Sequence, residues 1–251
     1  MRGQLKTVID FHTLQHCDYC RMQEHALVNR LTPQLRKELN AISFRISVPA
    51  GSTIFNEGDG AGEMQILRKG NVKVAMTSEE GRTIILYIAG PGELLGLSSV
   101  ISGTPRKVTA IAVEPCELDL IPKEEFLEFL NSHAEQFRAA LDELALQHSC
   151  ILSAIRRLTL APSLLANVAR FLLGLNCPQR DYKADTVKLK LTQEEIAQHL
   201  GATRESVSRA LSALRKNRVI EQSGRTLAIL NRAMLEHLAG SRAEKTAPLP
   251  A

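Results

Sequence analysis

Arg204, Glu205, Ser208 and Arg209 are spaced so that they fall on one side of the first two turns of a helix. Their chemistry suits base reading. An arginine fork matches guanine O6 and N7, a glutamate accepts from cytosine N4, and a serine hydroxyl adapts to either role. Thr203 stands just ahead, where its hydroxyl would cap the first turn. Val207, Ala210, Leu211 and Leu214 form an apolar stripe on the other side. The pattern predicts a helix over about residues 204–218 with one packed face and one reactive face.

Two other groups of residues have chemical spacing. His12, His16, Cys17, Cys20 and His25 lie within fourteen residues, and Cys-x2-Cys suits zinc or a reversible dithiol. Cys17, Cys20, His16 and His25 are therefore candidate metal or redox groups. No second strong pair follows, so a relict pair with nearby unconnected histidines is the plainer reading. Leu141, Leu144, His148, Ile151, Ile155 and Leu158 recur in alternating steps of three and four, the a/d seam of a two-stranded coiled coil. The same stripe would serve an amphipathic helix packed on its own domain. Dimerisation is favoured because a DNA reader with one recognition helix needs a partner. His148 would then be a polar register device or a metal or haem ligand.

The elements that must position these groups can be read locally. Thr192 and Glu195 form a capping-box pair ahead of Ile196, Ala197 and Leu200, with Leu191 and Ile196 placed as a hydrophobic staple. Gly201 follows as a helix stop. Val219–Glu221, a Ser223–Gly224 turn and Thr226–Ile229 predict a hairpin wing behind the second helix. A purely structural helical hairpin is the alternative, and the arginine-bearing outer face argues for DNA.

Upstream, Glu63–Arg68, Val72–Met76, Thr83–Ile88, Val108–Val113 and Leu118–Ile121 read as strands. Gly58, Gly70, Gly81, Gly90 and Gly92 punctuate them, as in a small barrel or jelly roll. The expected organisation is an N-terminal extension (1–27), a β-roll (28–122), a helical segment with the seam (123–160), a winged helix-turn-helix (161–239) and a disordered tail (240–251). The fold class is α+β.

Charge divides along the same line. Residues 1–159 hold 17 basic and 19 acidic side chains, net −2, whereas residues 160–251 hold 14 and 8, net +6. A basic C-terminal module suggests nucleic acid. The start has no apolar signal-peptide core, and no run approaches the roughly 20 apolar residues of a membrane span. Five irregularly spaced cysteines do not form a secreted disulfide framework. The expected location is the cytoplasm, with no membrane partner. The chain shows no nucleophile elbow, zinc-protease helix or phosphate loop, so an enzyme is not expected.

Residues 191–230, LTQEEIAQHLGATRESVSRALSALRKNRVIEQSGRTLAIL, resemble the helix-turn-helix of the cyclic-AMP receptor protein/fumarate–nitrate reductase regulator family. VPAGSTIFNEGD, ILRKGNVKV and PGELLGLSSVISGTPRKVTAIAVEPCELDLIPKEEF resemble that family's β-roll sensor, in the family's order. The resemblance implies a homodimer on a palindromic operator with TGA-like half-sites, acting on RNA polymerase. Arg204, Glu205, Ser208 and Arg209 fall on the family's DNA-contact pattern, and Thr203, the cap beside them, is a further candidate contact.

The effector positions depart from that pattern. Arg106 matches the family's phosphate-binding arginine, but Lys107 follows where a hydroxyl is usual, and Leu97 stands where the ribose-binding glutamate belongs. Losing that acceptor leaves a buried hydroxyl unpaired, at about 1–3 kcal/mol, and argues against cyclic AMP. Arg106 and Lys107 are then structural or hold another anion. The oxygen-sensing branch carries Cys-x2-Cys-x5-Cys plus a central cysteine. Cys17 and Cys20 match its first pair, but Ala26 stands at the third position, and Cys116 matches a roll-core cysteine instead. A four-cysteine iron–sulfur cluster is not expected. Cys150 and Cys177 read as inert thiols. Zinc or another metal at Cys17/Cys20, or a relict of an ancestral cluster, stays open. Two alternative functions follow: a metal- or redox-responsive regulator working through that pair, and a cyclic-nucleotide-type ligand-binding module.

Overall fold

The computed structural model describes residues 26–160, 163–174, 186–188, 192–223 and 226–239. The chain divides into two compact units, with the break between Leu158 and Thr159.

The N-terminal unit opens with a 3-10 turn, Leu27–Arg30, and helix α1, Pro33–Ala41, capped by Thr32. These residues are helical, although the strand-rich region was expected to start at 28. Eight strands follow: β1 (Phe44–Val48), β2 (Thr53–Phe55), β3 (Glu63–Lys69), β4 (Val72–Thr77), β5 (Thr83–Ala89), β6 (Leu94–Leu95), β7 (Thr109–Ala112) and β8 (Cys116–Pro122). A short helix α2, Leu97–Ser102, lies between β6 and β7. The strands form two four-stranded antiparallel sheets, ordered β1-β8-β3-β6 and β2-β7-β4-β5. Helix α3, Lys123–Ser132, and the 26-residue helix α4, Ala134–Thr159, complete the unit.

Strand alternation separates two apolar clusters. In β3, Met64 and Ile66 join Leu27, Leu39, Phe126, Phe129 and Ala140, while Leu67 turns to the cluster of Val74, Tyr87, Ala110 and Leu118. In β8, Leu118 and Ile121 divide in the same way. Edge strand β1 buries little, and an ion cluster anchors it instead. Buried Asp119 accepts from Arg45 Nε at 2.8 Å and from Arg68 Nε on the neighbouring strand. The two guanidiniums hold its carboxyl below the usual range, against the opposing effect of burial. This contact falls in the same register as the β1 and β8 pairing of Arg45 with Asp119.

Helix α4 meets the roll through small or polar residues: Ala139, Ala140, Glu143, Gln147, Cys150 and Ala154 are buried. Phe137, Leu141, Leu152 and Ile155 on its other side are each 43–47% exposed.

The C-terminal unit contains α5 (Leu164–Gly174), β9 (Thr186–Lys188), α6 (Gln193–Leu200), α7 (Arg204–Lys216), β10 (Ile220–Ser223), β11 (Thr226–Ile229) and α8 (Arg232–Leu238). The expected wing is present, but it has three antiparallel strands in the order β10-β11-β9. Buried His199 of α6 stacks on Phe171 of α5, with ring centroids 5.5 Å apart. Among the described residues, no helix is long and apolar enough to cross a membrane.

Candidate nucleic-acid interface and effector pocket

Helices α6 and α7 of the C-terminal unit are locally determined. The Thr192 hydroxyl accepts from Glu195 N at 3.2 Å, and the Glu195 carboxylate accepts from Thr192 N at 2.9 Å, which completes the capping box. Gly201 ends α6 at φ +61°, a backbone that suits glycine. Thr203 then caps α7 by accepting from Ser206 N at 3.2 Å. Val207, Ala210, Leu211 and Leu214 are buried.

Arg204, Glu205 and Arg209 are exposed and Ser208 is half-buried, on the side away from that stripe. Backbone N–H at the helix start and the Thr203 side chain hold the Glu205 carboxyl below its usual range, with smaller help from Arg204 and Arg209. It is thus an acceptor at neutral pH. Ser212 extends the polar face by one turn and accepts from Arg215 at 2.9 Å, a contact that sequence spacing did not single out. Arg215 and Lys216 are exposed at the far end.

The N-terminal unit contains a cavity of about 160 Å³ between strands and α4. Phe55, Val74, Tyr87, Leu144 and Ile151 supply apolar walls, and Ser98, Arg106, Lys107, Gln147 and His148 the main polar groups. Arg106 is 2% exposed. Its Nη1 donates to Gly96 O at 2.9 Å, and its Nη2 donates to Glu63 O and to Gln65 Oε1 at 3.2 Å. The guanidinium carbon lies 4.5 Å from the Phe55 ring centroid, a cation–π contact. Burial lowers its pKa, opposed by Glu63 and Asp59. Gly96 makes room for it: at φ +76°, a Cβ on Gly96 would lie 1.9 Å from Arg106 Nη1.

Beside the cavity, α4 grips strand β6. Gln147 Nε2 donates to Leu94 O at 2.8 Å. Fully buried Glu143 accepts from Leu94 N at 2.6 Å and from Leu27 N at 3.1 Å. Burial pushes its carboxyl up to about 7 against those two donors and Arg30. Glu93, also fully buried, accepts from Gly90 N at 2.9 Å, and burial raises its pKa well above the ordinary value.

Comparison with known proteins agrees with both units. Residues 45–133 match the cyclic nucleotide-binding domain family, and residues 166–238 match the Crp-like helix-turn-helix domain family. The transcriptional activator protein anr of Pseudomonas aeruginosa is 28% identical over 232 residues, 91% of this chain and 94% of that protein. The cAMP-activated global transcriptional regulator CRP of Pasteurella multocida is 26% identical over 183 residues, 72% of this chain and 87% of its own length. This chain belongs to the CRP/FNR family of transcription regulators. A putative crp/fnr-family regulator from Eubacterium rectale superposes with a TM-score of 0.68 at 26% identity, covering 86% of this chain and 98% of its own. FixK2 of Bradyrhizobium japonicum shares the fold, with a TM-score of 0.67 at 24% identity over 80% of this chain and 100% of its own.

Within the CRP/FNR framework, several expected site residues have specific placements. Leu97, expected from the resemblance at the position of the ribose-binding glutamate, is buried with Met64, Ile66 and Leu94 and does not line the cavity. Arg106 lines the cavity, but its terminal nitrogens are already on protein acceptors. Lys107 and His148 line it with exposed side chains. The expected seam is only partly an outer face of the single chain. Leu141, His148 and Ile155 are exposed, whereas Leu144, Ile151 and Leu158 are half-buried. Leu144 and Ile151 pack on this chain's own clusters because the roll sits under that side of α4. The exposed apolar line runs instead through Phe137, Leu141, Leu152 and Ile155. Cys116 and Cys150 are free and buried. Cys17, Cys20, His16, His25 and Cys177 lie outside the described residues, as do Leu191 and Gly224. Among the described residues, no group of three His, Cys, Asp or Glu side chains is placed to hold a metal.

Proposed function

We propose that this CRP/FNR regulator acts in the cytoplasm as a homodimer on a near-palindromic operator with TGA-like half-sites, and that it acts on RNA polymerase. The observation that carries this reading is the capped helix α7, whose first two turns present Arg204, Glu205, Ser208 and Arg209 while its opposite stripe is buried. That arrangement fits a recognition helix laid in the major groove. The exposed apolar line of α4 supports a second copy of the chain as the partner. A two-fold dimer requires half-sites about one helical turn apart, ~34 Å. Selection of bound DNA from a random pool tests this, and asymmetric winners would overturn it.

Within that frame Arg209 reads a base and Arg215 or Lys216 meets phosphate. Arg209→Ala is expected to cost about 1–3 kcal/mol of operator binding and to relax preference at one base pair. Arg215→Ala or Lys216→Ala should weaken all sequences alike and flatten the salt dependence. Titration of an operator panel at two salt concentrations separates the roles. Equal weakening of all sequences by Arg209→Ala would reverse the assignment.

A further inference from the structure

We propose that Ser212 is a positioning residue for DNA binding: it turns Arg215 back along α7 toward Arg209, so that the guanidinium meets the phosphate backbone beside the base-reading turns. The inference rests on the reading of α7 as a recognition helix and deepens it. Three observations carry it.

The first is placement. Glu205, Arg209 and Ser212 follow one another in steps of four and three, so they share one line along α7. All three are exposed, and the buried stripe of Val207, Ala210, Leu211 and Leu214 lies on the other side. Ser212 thus stands about one turn beyond Arg209 on the same face, ~4.5 Å along the axis.

The second is the state of Arg215. It is exposed, and its Nη2 donates to Ser212 Oγ at 2.9 Å. Among the described residues Arg215 forms no ion pair, whereas Arg232 of the same unit pairs with Glu236 at 2.9 Å. The bond to Ser212 fixes the guanidinium and leaves the rest of its donor fork open.

The third is direction. A cation in the last turn of a helix ordinarily serves the free carbonyls at the C-terminus. In α7 other groups do that. Asn217 N and Nδ2 donate to Ala213 O at 3.1 and 3.0 Å, Val219 N donates to Leu214 O at 2.9 Å, and Arg218 N donates to Arg215 O at 3.0 Å. Arg218 closes this end in a left-handed backbone, at φ +53°. Arg215 is not needed there. Its bond to a residue three positions back draws the guanidinium toward the helix start, the way helical side chains already lean. An unpaired arginine held beside the reading turns suits a phosphate oxygen, which accepts charge-assisted bonds from such a fork.

Fluorescence anisotropy of the full chain tests this on two duplexes across a salt series, one recovered by selection from a random pool and one of scrambled sequence. Arg215→Ala should weaken both about tenfold at low salt and reduce the salt slope by about one. Ser212→Ala should weaken both about threefold, the loss of one exposed hydrogen bond. Ser212→Thr keeps the hydroxyl and should bind like wild type. The double variant Ser212→Ala with Arg215→Ala should bind no worse than Arg215→Ala alone, because the serine acts only through the arginine. Thermal unfolding of all four should stay near wild type, since both side chains are exposed. Additive losses, full binding by Ser212→Ala, failure of the threonine to rescue, or an unchanged salt slope in Arg215→Ala would each overturn the proposal. Arg209→Ala reports separately on the reading beneath it. Reduced preference for the selected duplex supports the recognition helix, and equal weakening on both duplexes reverses it, whatever the Ser212 series gives.

Discussion

Leu141→Asp combined with Ile155→Asp is expected to yield a folded monomer that has lost tight operator binding. Both side chains are exposed, at 45% and 47%, on the outer line of α4, so each tolerates an aspartate in the isolated chain. In a dimer they would be desolvated, and two carboxylates from each copy would face one another. A monomer loses the linkage between half-sites, which is worth about 10²- to 10⁴-fold in apparent affinity. Sedimentation reports the oligomer, thermal unfolding the fold, and operator titration the affinity. An unchanged dimer would remove α4 from the interface. Aspartates at Leu144 and Ile151 would be a poorer probe, because those half-buried residues line the cavity and pack on the roll.

The second large effect concerns pH and Glu143. Burial raises its carboxyl from 4.5 to about 7 in the folded chain. A group raised in this way stabilises the fold fully below the unfolded value. Between pH 4.5 and about 7 the unfolded chain gives up this proton and the folded chain keeps it, so stability falls as pH rises. Above about 7 the loss is complete, at about 3 kcal/mol for this site. Glu143→Gln removes the slope. The amide supplies one acceptor where Leu27 N and Leu94 N each use an oxygen, so the variant pays a fixed cost of about 1–3 kcal/mol at any pH. Urea unfolding at pH 5 and pH 8 should show wild type clearly ahead at pH 5, with its lead shrinking or inverting at pH 8. Parallel profiles would show that Glu143 does not titrate as described. Comparing the two chains cancels the contribution of Asp119, whereas that of Glu93 is reduced in the variant, because the Glu143 charge helps to raise it.

The sequence was most legible where the determinants are local. The Thr192–Glu195 capping box, the Gly201 stop and the Thr203 cap each involve residues within a few positions, and helix α7 begins where they place it. The apolar strands β3, β4, β5 and β8 were visible because their buried faces need apolar side chains. Strands β1, β6 and β9 were not. They have only two to five residues, and their pairing partners, rather than their own pattern, make them strands. The 3–4 spacing located α4 correctly but did not show which side the roll covers, so Leu144 and Ile151 joined the outer residues in one stripe. The Glu143 contact could not be read at all, since its partners lie 116 and 49 positions away. Family resemblance located Arg106 and identified Leu97 as a departure. Only the folded chain shows that Arg106 spends its terminal donors on Gly96, Glu63 and Gln65.

The fit between Gly96 and Arg106 constrains how this sensor can change over evolutionary time. With the arginine in place, any side chain at 96 collides with Nη1. With the arginine gone, Glu63 O and Gln65 Oε1 lose a side-chain donor, while Gly96 O keeps Ser99 N and Val100 N. A side chain at 96 is strained at φ +76° and displaces the guanidinium, and loss of the arginine leaves acceptors without it, so each replacement is expected to cost stability. The two sites should be inherited as a unit, so that new ligand preferences in this lineage arise by substitution around them, at Ser98, Lys107 and His148, while the pair itself stays fixed.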